Sequence, residues 1–316
     1  MHRALALLAL LVVAAACSSV DATPTEPTPP TTVPESSSFP VTIAADNGDV
    51  TIATRPQRIV SLASTSTEML FAIGAGDQVV AVDSFSTFPT DAPLDPALGA
   101  FDPNVEAIVD THIPDLVVLS FDPGTVVASF EAIGIPVIVH NAAVDLDGTY
   151  RQIEQLGAAT GKVAEAAAEV IRIAAEIDAI VAEVGDIGAG LTYFHELDES
   201  LYTATSSTFI GSVYGLLGLE NIADPADAEG TAWGYPQLSA EYLLEADPDL
   251  IFLADADCCG QSAETVGSRP GWDVLTAVRT GAIVELDEDI ASRWGPRVVE
   301  FLRLVADSIL ALERSG

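Results

Sequence analysis

The apolar positions of this chain fall into a few repeating patterns. Residues 41–54, VTIAADNGDVTIAT, alternate apolar and polar around Asn47-Gly48, which predicts a hairpin turning at those two residues. Short β-rich runs follow at 58–63, 78–83, 115–120 and 136–140. Between the first two, 67–73 reads as a helix. Thr65 and Glu68 have capping-box spacing at its start, and Gly74 stops it. Short buried runs separated by helical stretches predict a mainly parallel sheet covered on both faces. From 161 to 184 the period changes. Val163, Ala167, Val170, Ala174, Ile177, Val181 and Val184 recur at alternating steps of four and three, one face of a helix about 36 Å long. A coiled coil shares this spacing, but the stripe is short and Ala-rich, which favours packing on neighbouring domains. Strand runs then resume at 191–195, 249–254 and 282–287, and a last helix spans 296–312. The fold class is therefore α/β, with two Rossmann-like lobes flanking one long helix.

A weak internal repeat supports two halves. Asn104-Val105-Glu106 opens a short apolar helix that leads to Pro114-Asp115 and a buried run. Ser239-Ala240-Glu241 does the same before Pro248-Asp249. In each case a capping residue stands two places before a Glu.

The N-terminus adds a location. His2 and Arg3 precede an apolar run over 4–16, about 13 residues where a membrane span needs about 20. The run ends Ala14-Ala15-Ala16-Cys17 and resembles a bacterial lipobox. That resemblance implies cleavage before Cys17 and a diacylglycerol on its sulfur. Residues 18–40 are rich in Pro, Thr and Ser and read as a tether of up to roughly 70 Å. The divisions expected are a signal peptide 1–16, a tether 17–40, an N-terminal lobe 41–160, a backbone helix 161–185 and a C-terminal lobe 186–316.

Composition excludes more than it identifies. The net charge is −35, and Lys162 is the only lysine, so nucleic acid and anionic membrane surfaces are repelled. No nucleophile elbow, phosphate loop or metal-ligand set is present, which argues against an enzyme. A secreted α/β enzyme and a cell-surface interaction protein stand as alternatives of a different class. Cys258 and Cys259 are adjacent. In an oxidising compartment they form a vicinal disulfide or remain two free thiols; the sequence leaves both open.

Residues 58–89 and 236–253, with the long helix between them and the lipobox before them, resemble the vitamin B12- and ferric-siderophore-binding family of ABC-importer binding proteins. The likeness covers 41–312. It implies the class III periplasmic-binding-protein fold, two lobes joined by one rigid helix, with ligand held between them. It implies no catalysis and no resident cofactor. The expected ligand is a ferric siderophore first, cobalamin close behind and haem third, so it contains Fe(III) or is a corrinoid. The expected partners are a permease dimer with its ATPase subunits. The protein is expected to be a monomer held to the membrane by its lipid alone. One exposed Glu on each lobe docks on permease arginines in this family, and the matching positions are Glu106 and Glu241.

Ligand residues belong on loops at the strand ends. Phe85 and Tyr235 match family aromatics, and Arg293 matches a loop that the family places at the cleft. Trp233, between Gly230 and Gly234, and Trp294 are further walls. Arg293, scarce as a cation here, is a candidate anchor for an anionic ligand. Arg297 reads as a structural ion pair. Tyr202 is either a site residue or an ordinary loop residue. His195 reads as a hydrogen-bonded structural histidine before it reads as a metal or haem ligand, because the histidines are not clustered.

Overall fold

The computed structural model describes residues 38–315. The signal segment, Cys17 and most of the tether lie outside these residues.

The hairpin forms as β1 (Val41–Ala45) and β2 (Gly48–Ile52). Its turn is Asp46-Asn47 rather than the expected Asn47-Gly48, since Ala45 pairs with Gly48. Asn47 is needed elsewhere. Its side chain donates to Val137 O at 3.0 Å and accepts from Val139 N–H at 3.0 Å, tying the hairpin to a sheet edge. Gly48, at φ 105°, takes the positive-φ position just after the turn.

The N-terminal sheet holds β3 (Ile59–Leu62), β4 (Val79–Val82), β5 (Leu116–Leu119) and β6 (Val137–Val139) in the order β4-β3-β5-β6. The C-terminal sheet holds β7 (Thr192–Glu196), β8 (Glu220–Asn221), β9 (Leu250–Leu253) and β10 (Ile283–Glu285) in the order β10-β9-β7-β8. Every pairing within these two sheets is parallel. β3, β5 and β9 are buried at every position, which is why they read as unbroken apolar runs. β8 has two residues and leaves no pattern to read.

The repeat is structural. Helices Val105–His112 and Ala240–Ala246 are capped by Asn104 and Ser239, and both end on a left-handed residue, Ile113 and Asp247. The Asp that follows each Pro clamps the chain entering the neighbouring strand. Asp115 accepts from the backbone N–H groups of Gln57 and Arg58 at 2.8 and 2.9 Å. Asp249 accepts from Thr192 N–H and Oγ1 at 2.8 and 3.0 Å. β3 therefore corresponds to β7, β5 to β9, β4 to β8 and β6 to β10. Asp115→Ala removes two charge-assisted hydrogen bonds, leaving exposed donors to water, and should lower the unfolding free energy by about 1 kcal/mol, read from a urea melt. An unchanged midpoint would contradict the clamp.

The long helix runs Val163–Val184, roughly 33 Å. Its most buried residues are Ala166, Ile173, Ile177, Ile180 and Val184. The expected stripe is right in period but rotated, because the bulk of Ile173 and Ile180 sets which face turns inward. The helix packs on both helix Leu146–Thr160 of the N-lobe and the terminal helix Val298–Ser315 of the C-lobe. At the first crossing, a Cβ on Gly157 would lie 2.4 Å from that of Ala166, so only glycine permits this approach. One continuous apolar cluster runs from Ile43 through Ile177 to Ile309, joining both lobes behind the cleft. Two further clusters fill the outer face of each sheet. A spine of this kind resists wide hinge opening.

Candidate ligand cleft

The loops leaving the C-terminal ends of the strands build the cleft, as expected for open parallel sheets. β3 supplies Ala63, Ser64 and Thr65, β4 supplies Asp83 and Phe85, and β5 supplies Ser120. Across from them, the segment after β10 supplies Glu288, Asp289, Arg293 and Trp294. Together they line an interlobe cavity of about 320 Å³.

The N-lobe wall is aromatic. Phe85 is 53% exposed and Phe101 65% exposed, with their rings 5.5 Å apart, edge to face. Phe121 continues the row 5.7 Å from Phe101. Phe101 and Phe121 were not singled out from sequence. Phe101 stands between Gly99 and Pro103 in a loop, the same signal that marks Trp233. Behind this wall, Asp83 is buried and accepts from Phe85 N–H at 2.7 Å and Ser86 Oγ at 3.1 Å. Burial raises its pKa above the usual aspartate range, against these hydrogen bonds.

Arg293 differs from its expected part. Its guanidinium donates to Glu68 at 2.7 Å, to Asp289 at 2.5 Å and to the carbonyl of Phe85 at 2.9 Å. Three of its five N–H donors are taken and two carboxylates balance its charge, so the expected free cation for an anionic ligand is not what this geometry offers. Arg297 is the structural ion pair that was expected, reaching Glu68 at 2.7 and 3.0 Å. Glu68 also departs from expectation. Helix Ser64–Ala72 starts earlier than predicted and carries no side-chain cap, so there is no capping box with Thr65. The Glu68 side chain turns instead into the lobe junction. Trp294 is half-buried; its Nε1 donates to Gln152 at 2.8 Å and its carbonyl accepts from Thr149. Thr87 reaches Asp289 at 2.8 Å, a further tie between the lobes.

The second group of aromatics lies elsewhere on the C-lobe rim. Tyr202 follows β7, and Trp233 and Tyr235 follow β8. The two loops run side by side through the Tyr202–Gln237 bridge and the bond from Thr205 N–H to Gly234 O. Trp233 is 88% exposed and holds a left-handed backbone at φ 58°. Tyr202 and Tyr235 are each 42% exposed. None of the three lines the 320 Å³ cavity. Sheet order explains the separation: β10 and β8 are opposite edges, three strand spacings or roughly 14 Å apart. Because β4 and β8 are equivalent strands, Phe85 and the Trp233–Tyr235 pair occupy matching loops of the two lobes.

His195 is fully buried and shares a 2.8 Å hydrogen bond with Tyr214. Burial lowers its pKa to about 3, so it stays neutral, and it does not line the 320 Å³ cavity. Among the described residues, no group of three or more His, Cys, Asp or Glu could hold a metal. Cys258 and Cys259 are joined as a vicinal disulfide at the end of the short, exposed helical turn Ala256–Cys259 after β9. Glu106 and Glu241 are both exposed in the first turn of their capped helices, and neither has a hydrogen-bond or ion-pair partner among the described residues. No helix of the described residues is long and apolar enough to cross a membrane.

Known proteins with similar sequences and folds were found. An uncharacterized ABC transporter substrate-binding lipoprotein of Bacillus subtilis is 31% identical over 86% of this chain and 86% of its own length. A cobalamin-binding protein of Halobacterium salinarum is 32% identical over 86% of this chain and 74% of its own. The crystal structure of a possible iron-binding, periplasmic solute-binding protein from Staphylococcus epidermidis superposes with a TM-score of 0.70, at 26% identity over 81% of this chain and 99% of that one. With two parallel-sheet lobes joined by one long helix, and with residues 59–290 matched by the family, the chain belongs to the periplasmic binding proteins.

Proposed function

We propose that this chain is the lipid-anchored, extracytoplasmic ligand-capturing protein of an ABC importer, and that its ligand is a corrinoid. It is a binding protein of ABC transport, not an enzyme. The observation that carries the ligand reading is the compensation of Arg293. The cleft combines exposed aromatic surface with a lining whose arginine is already charge-balanced by carboxylates and whose remaining charges, Asp83 and Glu288, are acidic. Such a site favours a large ligand with apolar faces and amide edges over one bearing carboxylates or catecholates. The overall charge of −35 acts in the same direction. The similarity to a cobalamin-binding protein supports this order, which places corrinoids ahead of the ferric siderophores favoured by sequence alone. Haem would bring two carboxylates to an acidic lining.

The second reading is a ferric chelate that is neutral or cationic, supported by the iron-binding description of the structural neighbour. Anchoring through Cys17 lies outside the described residues and rests on the lipobox and on the lipoprotein description of the similar Bacillus subtilis protein. Equilibrium dialysis of the purified protein separates the ligand readings. Cyanocobalamin should be retained at one per chain and an anionic ferric tricatecholate should not. Retention of the tricatecholate in preference to cyanocobalamin would overturn the corrinoid reading.

A further inference from the structure

Glu68 stands on an N-lobe helix, and both of its guanidinium partners stand on the C-lobe. Its side chain is 1% exposed, and those of Arg293 and Arg297 are 8% and 12% exposed. Burying three charged groups is costly, and apolar residues of similar volume often hold two elements together as well or better. Cohesion of the lobes is therefore a weak reason for this cluster. Its placement suggests another. Arg293 lines the interlobe cavity, whereas Glu68 does not. One terminal nitrogen of Arg293 goes to Glu68; the other goes to Asp289 and the Phe85 carbonyl, both in cavity-lining residues. The cavity thus meets a cation that is already balanced through its other end. Arg293 and Arg297 are matched one for one by Glu68 and Asp289, which leaves Asp83 and Glu288 to set the sign of the lining.

We propose that Glu68 determines the charge preference of the ligand site. By compensating Arg293 from outside the cavity it withholds a positive potential from the ligand, so neutral or cationic chelates are admitted and anionic ones are disfavoured. Glu68 touches no ligand in this scheme; it is a positioning residue that acts through Arg293. The inference rests on the reading of this cavity as part of the ligand cleft, and its content is which residue tunes that cleft. It also accounts for an arginine standing at the cleft of so acidic a protein without serving as an anion anchor.

The test compares ligands that differ by charge at nearly constant shape. One pair is cyanocobalamin and its monocarboxylic acid, in which a single peripheral amide has become a carboxylate. The other is a ferric trihydroxamate bearing a terminal amine and the same chelate bearing a terminal carboxylate. Affinities are measured for the purified wild-type protein and for Glu68→Gln. The readout is the ratio within each pair, because a merely structural defect weakens both members alike. Uncovering one positive charge beside the cavity should shift the ratio toward the anionic member by about tenfold, and the shift should shrink with added salt. Glu68→Gln leaves two buried arginines facing an amide and can fail to fold. Asp289→Asn uncovers Arg293 from the half-exposed side and should shift the ratio in the same direction. A corrinoid pair that binds with an unchanged ratio in the folded variants overturns the inference and leaves the corrinoid reading standing. A silent corrinoid pair beside a hydroxamate pair that shifts as expected does the reverse. Silence of all four ligands overturns both.

Discussion

Replacing Glu106 and Glu241 together by arginine should reduce uptake by cells about a hundredfold while leaving the affinity of the purified protein within about twofold of wild type. Like charges brought together at a docking surface cost several kcal/mol, and two such sites act at once. The loss is not a folding defect. Both side chains are exposed and without hydrogen-bond or ion-pair partners among the described residues. Their local part is the favourable interaction with a helix N-terminus, about 0.3–1 kcal/mol each. Each should contribute, because the structural repeat sets one on each lobe in the same capped helix before the same Pro-Asp clamp. Uptake assays paired with ligand titration separate the two functions. Unimpaired uptake would remove these residues from docking. Lost ligand affinity would mean that they belong to the cleft.

The second large effect falls on Trp233. Trp233→Ala should weaken corrinoid binding about thirtyfold or more, on the scale of a central aromatic anchor. An indole that is 88% exposed has almost no packing to lose in the unliganded protein, so the melting temperature should stay near wild type. Its left-handed backbone holds the ring out from the loop, at a position where alanine is no better suited than tryptophan. Phe85→Ala, on the equivalent loop of the other lobe, should act in the same direction and more weakly, since Phe101 beside it remains as a wall. Calorimetric titration decides the matter, and an unchanged affinity in Trp233→Ala would place that rim outside the ligand.

Much of the scaffold was legible because its information is local. Buried strands such as β3, β5 and β9 are short apolar runs, and the long helix announces itself by period. The Asn104–Asp115 and Ser239–Asp249 segments repeat because one local structure is used twice. What stayed hidden depends on partners distant in the chain. Glu68 sits three residues after a threonine, which is capping-box spacing, yet its partners lie 225 and 229 residues away. The same contacts change Arg293 from a free cation to a compensated one. Asn47 looks like a turn residue and is one, but its hydrogen bonds to β6 shift the turn by a residue. Phe101 and Phe121 become a wall only when the loops before helix Val105–His112 and after β5 meet. β8, with two residues, has too little pattern to detect. The charge balance of the cleft was therefore not readable from sequence.

Tryptophan emission during titration with cyanocobalamin tests the central claim most directly. Trp294 lines the interlobe cavity and Trp233 stands on the C-lobe rim, while Trp272 is buried in the outer core of the C-lobe. A corrinoid clasped between the lobes should quench the emission saturably at one ligand per chain, with much of the quenching lost in Trp233→Phe. Emission that falls only in proportion to the ligand's own absorbance, in wild type and variant alike, would contradict the account.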